Sequence, residues 1–598
     1  MVHDMLDYKK LGIRAGLEIH QQLSSGTKLF CRCPIKKSDD FPIEIRRKLR
    51  PVQSELGEKD PAALFEYLRD KTFVYRANRE SSCLVELDEQ PPLPMNEKAL
   101  KTVIQIGKML NCRFVDEIHV MRKMVIDGSA VSGFQRTALI ATDGGIETSL
   151  GSVGIQTINL EEDSAPAMTR GNNIEYRLDR LGTPLIEIAT DSSLSSPQHV
   201  REAAEKIGLL LRSVDVVRGI GSIRQDVNIS IAEGSRVEIK GFQQLEDMEK
   251  LVENEVLRQI GLLEVRDELR KRGFREVKED IRDVTKIFEK TKNMMISKII
   301  NEGGRIFASV LRGFGGLMRK ELGDRTLGKE LSGYADSYGY GIIHNVEAEK
   351  HAMVDEFREL EKIFGATEND VTFISAGKNP KQAITAVIKR TNYCSVGVPE
   401  ETRVADGIGS KYSRPLPGSG RLYPESDVPA IRVTKELLNV EVPKTLEERK
   451  AELDIPEQLA SQIVKSRYYS WFNELKNYDH VLAATVFLST YKDLSRHGFD
   501  VDKISFEDVK IVIENASNGK IPKNSIGDIL SEVCGGVPAA SVIAKYSLIS
   551  DEELIGIIKT SMKENSGKND SALTGIVMGK VKGHADGKKV ADLIKELR

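Results

Sequence analysis

The chain has 598 residues, a mass of 66.6 kDa and a formal net charge of −3, with 87 Lys and Arg against 90 Asp and Glu. At about 150 residues per domain, this length predicts roughly four domains rather than a single core. The balanced charge excludes a globally basic coat protein, so any contact with nucleic acid is expected from local patches.

The first 240 residues are predicted to be β-rich, because short apolar runs such as 227–231 are separated by glycine and other turn-forming residues. The pair Ser196-Pro197 has the composition of a helix N-terminus, with a capping residue followed by proline. Helices are expected to interrupt the β pattern in three places: near 61–70, 97–110 and 197–213.

From Leu245 the apolar spacing becomes helical, and the charged stretch 264–283 reads as a solvated helix or a linker. Residues 284–395 form a compositionally separate, glycine-rich block, and a second β-type segment covers 396–436. Beyond Pro443 the pattern is helical throughout, with segments near 445–453, 456–475 and 478–495 and a bundle of short helices over 506–598.

Several functional classes are excluded by what the sequence lacks. No apolar run approaches the length of about 18 residues that spans a bilayer, and the first ten residues contain no signal-peptide core, so a cytoplasmic protein without membrane contact is expected. Six scattered cysteines do not make a disulfide framework. Without a P-loop, H-E-x-x-H, G-x-S-x-G or Rossmann motif, an enzyme of this composition would depend on acidic and basic residues around a metal.

Polar side chains alternate along predicted strands or follow one another at a strand end. The segments are Glu18 and His20; Glu161, Glu162 and Asp163; Asp226, Asn228 and Ser230; and Arg236, Glu238 and Lys240. Residues two apart on a strand face the same side, and oxygen ligands on converging strands suit Mg²⁺. Interleaved Arg224 and Lys240 would suit a triphosphate. The same alternation also marks the solvated face of an antiparallel sheet, so spacing alone leaves both interpretations open.

Longer blocks around these residues carry a family resemblance. They are GLEIHQQL (16–23), TKLFCRC (27–33), LEEDSA (160–165), DRLGTPLIEIATD (179–191), GSIRQDVNIS (221–230), RVEIKG (236–241), VPEETR (398–403), RLYPESDVPAI (421–431) and TGIVMGKVKG (574–583). In these blocks the chain resembles the B/E subunit family of tRNA-dependent amidotransferases. The bacterial B-type subunits lack the block 284–395, which is similar to an insertion domain of bacterial-type aspartyl-tRNA synthetases. This block is typical of the archaeal branch, the E-type subunits of glutamyl-tRNA(Gln) amidotransferases.

The resemblance implies an α+β multidomain protein. A β-rich cradle domain would contain an inserted α+β domain and be followed by an α-helical domain and a small helical tail domain. The surplus of Lys and Arg over 559–598 would suit contacts with structured RNA. The expected bounds are 1–283 and 396–443 for the cradle, 284–395 for the aspartyl-tRNA-synthetase-like insert, 444–520 for the helical domain and 521–598 for the tRNA-binding tail.

The resemblance also implies that the cradle holds ATP, Mg²⁺ and the aminoacylated 3′ end of tRNA. Matched motif to motif, the expected metal ligands are Glu18, His20, Glu162, Asp226 and Glu238. The expected catalytic residues are Glu18, His20, Glu161, Glu162 and Lys240. Contacts to the nucleotide or to carboxylates are expected from Arg122, Lys123, Arg224, Asn228 and Ser230.

The cysteines near the N-terminus depart from the family pattern. Bacterial-type relatives often pair a C-x-C with a later C-x-x-C, which gives four zinc ligands. Here Cys31 and Cys33 remain, but the second pair reads Cys83-Leu-Val-Glu86. Three thiolates and a carboxylate can hold Zn²⁺, although structural sites prefer Cys and His. We therefore expect buried free thiols at these three positions, with zinc as the alternative.

The activity implied by the resemblance is the ATP-dependent conversion of Glu-tRNA(Gln) to Gln-tRNA(Gln). The γ-carboxylate would be phosphorylated to an acyl phosphate, from which ammonia displaces phosphate. Because the chain shows no glutaminase signature, the asparaginase-like D-type amidotransferase subunit is the expected ammonia source, in a two-plus-two assembly. The alternatives are an amidotransferase that also acts on Asp-tRNA(Asn), a non-catalytic tRNA-binding scaffold, and a synthetase-like ligase that forms an adenylate.

Overall fold

The structure is a computed structural model that describes residues 6–53, 57–69, 71–170, 173–581 and 584–598. The chain divides into two compact units, one that ends at Pro443 and one that spans Lys444–Arg598. Among the described helices, none combines the length and the apolar character that a membrane span requires.

A sheet of eleven described strands forms the centre of the first unit. In chain order these are β1 Arg14–Gln22, β2 Arg113–Phe114, β3 Val120–Met124, β4 Phe134–Thr148, β5 Gly151–Glu162, β6 Pro184–Thr190, β7 Ile223–Ser230, β8 Val237–Phe242, β9 Glu401–Asp406, β10 Gly409–Pro415 and β11 Leu422–Pro424. The spatial order is β10-β9-β8-β7-β1-β6-β5-β4-β3-β11, with β2 beside β4. Within this sheet β8 and β9 pair in parallel, which is allowed because the long segment 243–400 connects them.

One face of this sheet is apolar and is covered by helices. On β1, Leu17 and Ile19 are buried while Glu18 and His20 alternate with them on the opposite face. The hydroxyl of Ser196 caps the helix that follows it by accepting from the backbone N–H of His199 at 3.1 Å, as the sequence predicts. The covering helices are Glu97–Met109, Pro197–Leu211 and Met248–Lys271.

Two four-stranded sheets complete the main strand pattern of the first unit. In spatial order they are Ile43–Arg47, Phe73–Ala77, Asn173–Arg177 and Ala167–Arg170, and Arg282–Asp283, Arg305–Leu311, Val371–Gly377 and Ile343–His344. Short strands also pair as Glu321–Leu322 with Arg325–Thr326 and as Glu117–Ile118 with Ile431–Arg432. The remaining helices of this unit are Tyr8–Leu11, Pro61–Leu68, Met294–Asn301, Leu327–Asp336, Val354–Phe364, Lys381–Tyr393 and Lys435–Leu438.

A buried ionic cluster connects strand β9 to two helices that precede it in the sequence, Met248–Lys271 and Leu327–Asp336. The Arg403 guanidinium contacts Glu401 at 2.6 Å and Glu330 at 2.9 Å, and Arg258 contacts Glu330 at 2.6 Å. All four side chains are almost completely buried. Because Glu330 lies in the 284–395 block, these contacts attach that block to the main sheet.

The second unit is helical. The helices that begin at Glu457 and end at Ile543 share buried aromatic and aliphatic residues, whereas the last three helices form a core of their own. Their bounds are Leu446–Ala451, Glu457–Ile463, Tyr469–Glu474, His480–Thr485, Tyr491–Arg496, Phe506–Ser517, Ile526–Cys534, Ala539–Ile543, Asp551–Glu564, Asp570–Lys580 and Gly587–Glu596.

The coarse fold prediction is confirmed: the chain is a mixed α+β protein with a large sheet and a helical C-terminal region. In the charged stretch 264–283, residues 264–271 form the last turns of the helix Met248–Lys271, in which Val265 and Leu269 are buried, and residues 274–281 form neither helix nor strand. The helical spacing predicted from Leu245 therefore continues into the first part of the charged stretch. The predicted domain bounds remain predictions.

Candidate active site

Polar side chains cover the second face of the main sheet. Strand pairing sets Glu18 of β1 opposite Asp226 of β7, and sets His20 opposite Glu187 of β6. Asn228 of β7 lies opposite Glu238 of β8 in the same way. These residues share one face because each is an even number of positions from its neighbour on the strand.

The first cluster contains Glu18, Asp226 and Glu238, each of which offers one carboxylate oxygen within 4.8 Å of the other two. The Lys240 ammonium bridges two of them, at 2.8 Å from Asp226 Oδ2 and 2.6 Å from Glu238 Oε1. Asn228 donates to Glu18 Oε1 at 3.1 Å. The cluster is therefore preassembled, and each carboxylate is held by a neighbour.

Burial and charge act in opposite directions in this cluster. Burial raises the pKa of Glu18, and Lys240 only partly opposes it. Burial would also raise the pKa of Asp226, but Lys240 and His20 hold it below its usual value. The pKa of Lys240 is raised because the attraction of Asp226, Glu238 and Glu18 outweighs the cost of burying its charge.

The second cluster contains His20, Glu161 and Glu187, and their ligand atoms also lie within 4.8 Å of one another. His20 Nε2 is 3.1 Å from Glu187 Oε2, and the Lys123 ammonium is 3.3 Å from the same oxygen and bonds Glu161 as well. Thr137 donates to Glu161 Oε1 at 2.8 Å. The second cluster repeats the plan of the first, with three ligands and one lysine.

The charges of the second cluster are also mutually stabilised. Burial alone would raise the pKa of Glu187, but Lys123 and the hydrogen bond from His20 hold it well below its usual value. Burial would lower the pKa of His20, yet the hydrogen bond and the charge of Glu187 raise it. Lys123 has a raised pKa because Glu161 and Glu187 outweigh the effect of burial.

Both clusters have the donor chemistry of a divalent-cation site. The first offers carboxylate oxygens alone, which are the ligands that Mg²⁺ prefers, and the second adds an imidazole nitrogen. In His20 the second ring nitrogen, Nδ1, is buried and has no hydrogen-bond partner among the described residues. The residues present therefore fit a metal-dependent reaction at this face.

Comparison with known proteins identifies the family. A family model of the GatB/GatE catalytic domain matches residues 13–439, and a model of the GatB domain matches residues 470–597. The E-type subunit of the glutamyl-tRNA(Gln) amidotransferase of Methanocaldococcus jannaschii is 43% identical over 626 aligned residues, which cover 99% of both chains. Its counterpart from Archaeoglobus fulgidus is 41% identical, again over 99% of both chains. The chain belongs to the GatB/GatE family of amidotransferase subunits. The predicted resemblance is thereby confirmed.

In this GatB/GatE member most of the predicted site residues come together. The residues that meet on the polar face are Glu18, His20, Lys123, Glu161, Asp226, Asn228, Glu238 and Lys240. Two-residue spacing predicted the shared face within each strand, for Glu18 with His20, Asp226 with Asn228 and Glu238 with Lys240, whereas Lys123 and Glu161 were expected from the resemblance.

Glu162 is not part of either cluster. It lies on the side of β5 that carries the buried Ile158 and Leu160, whereas Glu161 points to the polar face. Its carboxylate accepts from the backbone N–H of Arg136 at 3.2 Å and lies 3.4 Å from the Arg136 guanidinium. Burial raises the pKa of Glu162, and Arg136 only partly opposes this. Glu161, rather than Glu162, therefore lies among the grouped ligand atoms, and the predicted metal role of Glu162 stays a prediction.

Three predicted phosphate contacts lie elsewhere or are already engaged. Arg122 shares the reverse side with Glu162 and binds Glu425 through two nitrogens, at 2.6 and 2.9 Å. Arg224 is on the polar face but bonds Asp163 at 3.1 Å. Ser230 lies toward the beginning of β1, where its hydroxyl is 3.5 Å from the carbonyl oxygen of Arg14.

Glu187 is the cluster member that was missed in the sequence. It lies within the apolar run of β6, whose other side chains are uncharged. A single carboxylate at the centre of a buried strand is costly unless it has a partner. That isolated charge was the available signal, and the pairing of β6 with β1 places it opposite His20.

The predicted cysteine site combines three thiols with one carboxylate. Cys31, Cys33, Cys83 and Glu86 present ligand atoms within 4.8 Å of one another. Glu86 also accepts from the buried Lys28 ammonium at 2.8 Å. A zinc ion would therefore share this carboxylate with a fixed cation, which fits Zn²⁺ less well than a site of four cysteines.

The basic tail holds several of its cations in ion pairs. Lys580 is 2.6 Å from Glu564, and Lys589 and Arg598 form ion pairs with Asp551 and Asp570. Lys582 and Gly583 lie outside the described residues. The other cations of this predicted tRNA-binding surface are Lys559, Lys563, Lys568, Lys588 and Lys595.

Proposed function

We propose that the polar face of the main sheet converts Glu-tRNA(Gln) to Gln-tRNA(Gln) in two steps. ATP first phosphorylates the γ-carboxylate of the glutamate, and ammonia then displaces phosphate from the acyl phosphate. The observation that supports this proposal is the pair of three-ligand clusters on one face, in a chain that matches E-type subunits of glutamyl-tRNA(Gln) amidotransferases over almost its whole length.

The first step brings two anions together, a carboxylate and a triphosphate. Mg²⁺, when bound, would offset this charge and align the attack. The residues that would hold it are Glu18, Asp226 and Glu238 in one cluster and His20, Glu161 and Glu187 in the other. Lys123 and Lys240 would supply positive charge beside the reacting groups.

The second step needs a group that takes a proton from ammonia as it attacks. We assign this task to Glu162, because it lies apart from the metal-type clusters at the end of β5. Burial raises its pKa, which makes the carboxylate a stronger proton acceptor than an exposed one. Because Glu162 is the last residue of β5, we place the attack of ammonia at this strand end, where a group on the polar face comes near the reverse side. Glu161 and Glu162 would then serve the two steps from opposite sides of one strand.

Ammonia would come from an asparaginase-like partner, the D-type subunit, in a two-plus-two assembly. The proposal is supported by the sequence, which shows neither a glutaminase cysteine dyad nor a Ser–Lys amidase signature. A sheltered route between subunits would keep ammonia unprotonated. The helical tail would bind the tRNA, and residues 284–395 would correspond to the aspartyl-tRNA-synthetase-like insert.

The deciding experiment uses the purified chain with Glu-tRNA(Gln), Mg-ATP and ammonium chloride, and follows ADP and Gln-tRNA(Gln) together. Formation of both products places phosphorylation and amide formation on this chain. Products that form only after addition of the partner mean that the partner assembles the site. Binding of tRNA without any product under either condition contradicts the proposal and favours a scaffold, and AMP in place of ADP favours an adenylate-forming ligase. Asp-tRNA(Asn) in a parallel reaction tests the wider substrate range.

A further inference from the structure

A cavity of about 660 Å³ opens beside the Glu18 cluster, toward the beginning of β1. Its lining includes Arg14 and Glu18 of β1, Asn228 and Ser230 of β7, and Arg236 just before β8. This volume falls in the range of small-molecule sites, which is about 300–1,000 Å³. The cavity is continuous with the first cluster because Glu18 and Asn228 belong to both.

Arg14 and Arg236 lie on the polar face beyond the first cluster, toward the beginnings of β1 and β8. Arg14 is four residues before Glu18 on β1 and lies opposite Ser230, and Arg236 is two residues before Glu238. Gly16 lies between Arg14 and Glu18, so backbone rather than a side chain separates them on this face. The two guanidinium groups therefore belong to the same surface as the metal-type ligands.

Both arginines are exposed, and neither forms an ion pair or a side-chain hydrogen bond within the part of the chain that the structure describes. The other cations of the polar face differ in this respect. Lys240 bonds Asp226 and Glu238, Lys123 bonds Glu161 and Glu187, and Arg224 bonds Asp163. The two arginines at the cavity thus keep hydrogen-bond donors that these other cations have already used.

The carboxylates of the cavity do not neutralise these arginines. Asp191 accepts from the backbone N–H of Ser193 at 3.1 Å, and Asp143 pairs with Arg113 at 3.5 Å. Glu18 is bonded by Asn228. An anion that entered the cavity would therefore meet two available guanidinium groups beside a carboxylate cluster suited to a divalent cation.

We propose that Arg14 and Arg236 form a subsite for a phosphate group of a substrate. This inference rests on the proposed function, which requires two phosphate-bearing substrates at this face. A planar guanidinium binds phosphate through paired hydrogen bonds, whether the phosphate belongs to ATP or to the 3′-terminal nucleotide of tRNA. The same two arginines would suit either phosphate, so separate binding measurements with ATP and with tRNA distinguish these two ligands.

The test compares Arg14→Gln, Arg236→Gln and the double variant with the wild-type chain. Arg113→Gln is the matched control, because Arg113 is also an exposed arginine near this cavity, with 81% of its side chain accessible, but is paired with Asp143. Each protein is assayed in complex with its partner for binding of Mg-ATP and, separately, of labelled tRNA(Gln). Arg236→Lys keeps the positive charge without the planar guanidinium, and so tests whether charge alone suffices for phosphate binding.

Each Gln substitution is expected to weaken binding of one substrate on the order of ten-fold, with a larger loss in the double variant. Weaker ATP binding with unchanged tRNA binding identifies the nucleotide phosphate as the ligand. Weaker tRNA binding identifies the phosphate at the tRNA 3′ end as the ligand. In that case the slope of log binding constant against log salt concentration should become shallower by about one unit per arginine removed. A double variant that binds both substrates within about two-fold of wild type, as the control is expected to do, overturns the inference. A wild-type complex that binds neither substrate overturns the proposed function itself and with it this subsite.

Discussion

The neighbouring residues Glu161 and Glu162 are expected to differ sharply in what their loss does. Glu161→Gln replaces a charged ligand of the second cluster by an amide and leaves Lys123 with Glu187 as its carboxylate partner, at 3.3 Å. Loss of an outer-shell partner alone typically costs 10- to 100-fold in metal affinity, so loss of a ligand should lower ADP formation by at least about 100-fold. Raising the Mg²⁺ concentration should restore part of the rate.

Glu162→Gln should leave phosphorylation nearly intact. The amide oxygen of glutamine can still accept from the Arg136 backbone N–H, and the Arg136 guanidinium keeps its contact with Glu425 at 2.8 Å. The expected cost is about 1–3 kcal/mol of folding stability, from one weakened buried ion pair. Amide formation should fall more than ADP formation, because the acyl phosphate would lack its proton acceptor.

The assay measures ADP and Gln-tRNA(Gln) separately over a Mg²⁺ titration, and urea unfolding reports the stability of each variant. The assignment would be refuted by a folded Glu162→Gln protein that forms no ADP while Glu161→Gln forms it at the wild-type rate. Equal loss of ADP formation in both variants would also contradict it, because residues on opposite sides of β5 would then serve the same step.

Three further predictions concern stability and RNA binding. Lys28→Met should destabilise the protein by about 3–5 kcal/mol in urea unfolding, because it leaves Glu86 buried without its cation. Lys36→Met, which breaks the exposed pair with Glu80, should leave the free energy of unfolding nearly unchanged. Burial would raise the pKa of Glu330, but Arg403 and Arg258 hold it well below the ordinary value of 4.5. Its stabilising effect is therefore present above pH 4.5 and is lost as the pH falls toward the depressed pKa of the folded state, so Glu330→Gln should flatten the stability profile below about pH 5. Truncation after Ser547, which removes the separate core of the last helices, should raise the KM for tRNA and leave the KM for ATP unchanged.

The local part of the site was predictable because strand geometry has a short period. Glu18 and His20, and likewise Asp226 and Asn228, share a face for a reason that is contained in a few residues. The three consecutive acidic residues 161–163 do not show from their spacing which of them faces the site. Whether Glu161 or its neighbour faces the site depends on how β5 pairs with β4 and β6, and that register is fixed by contacts far away in the sequence.

Long-range contacts account for the rest of what the sequence did not reveal. Glu187 becomes recognisable as a site residue only when β6 lies beside β1 and faces His20. In the sequence, Glu86 stands where bacterial-type relatives often have a cysteine that binds zinc. In the fold, its carboxylate is also the ion-pair partner of the buried Lys28. Such pairs carry no periodic signal, because each partner lies on a different element.

Each lysine of the polar face bridges two of the three ligands in its cluster. Lys240 contacts Asp226 Oδ2 and Glu238 Oε1, and Lys123 contacts Glu161 Oε1 and Glu187 Oε2. A divalent ion that used these same oxygens would compete directly with the ammonium group. Binding of the ion would therefore release a lysine from its carboxylates, beside a triphosphate that the ion helps to hold. In the proposed reaction the lysines would keep the clusters ionised and compact before an ion binds, and they would become phosphate contacts once the metal and nucleotide are bound.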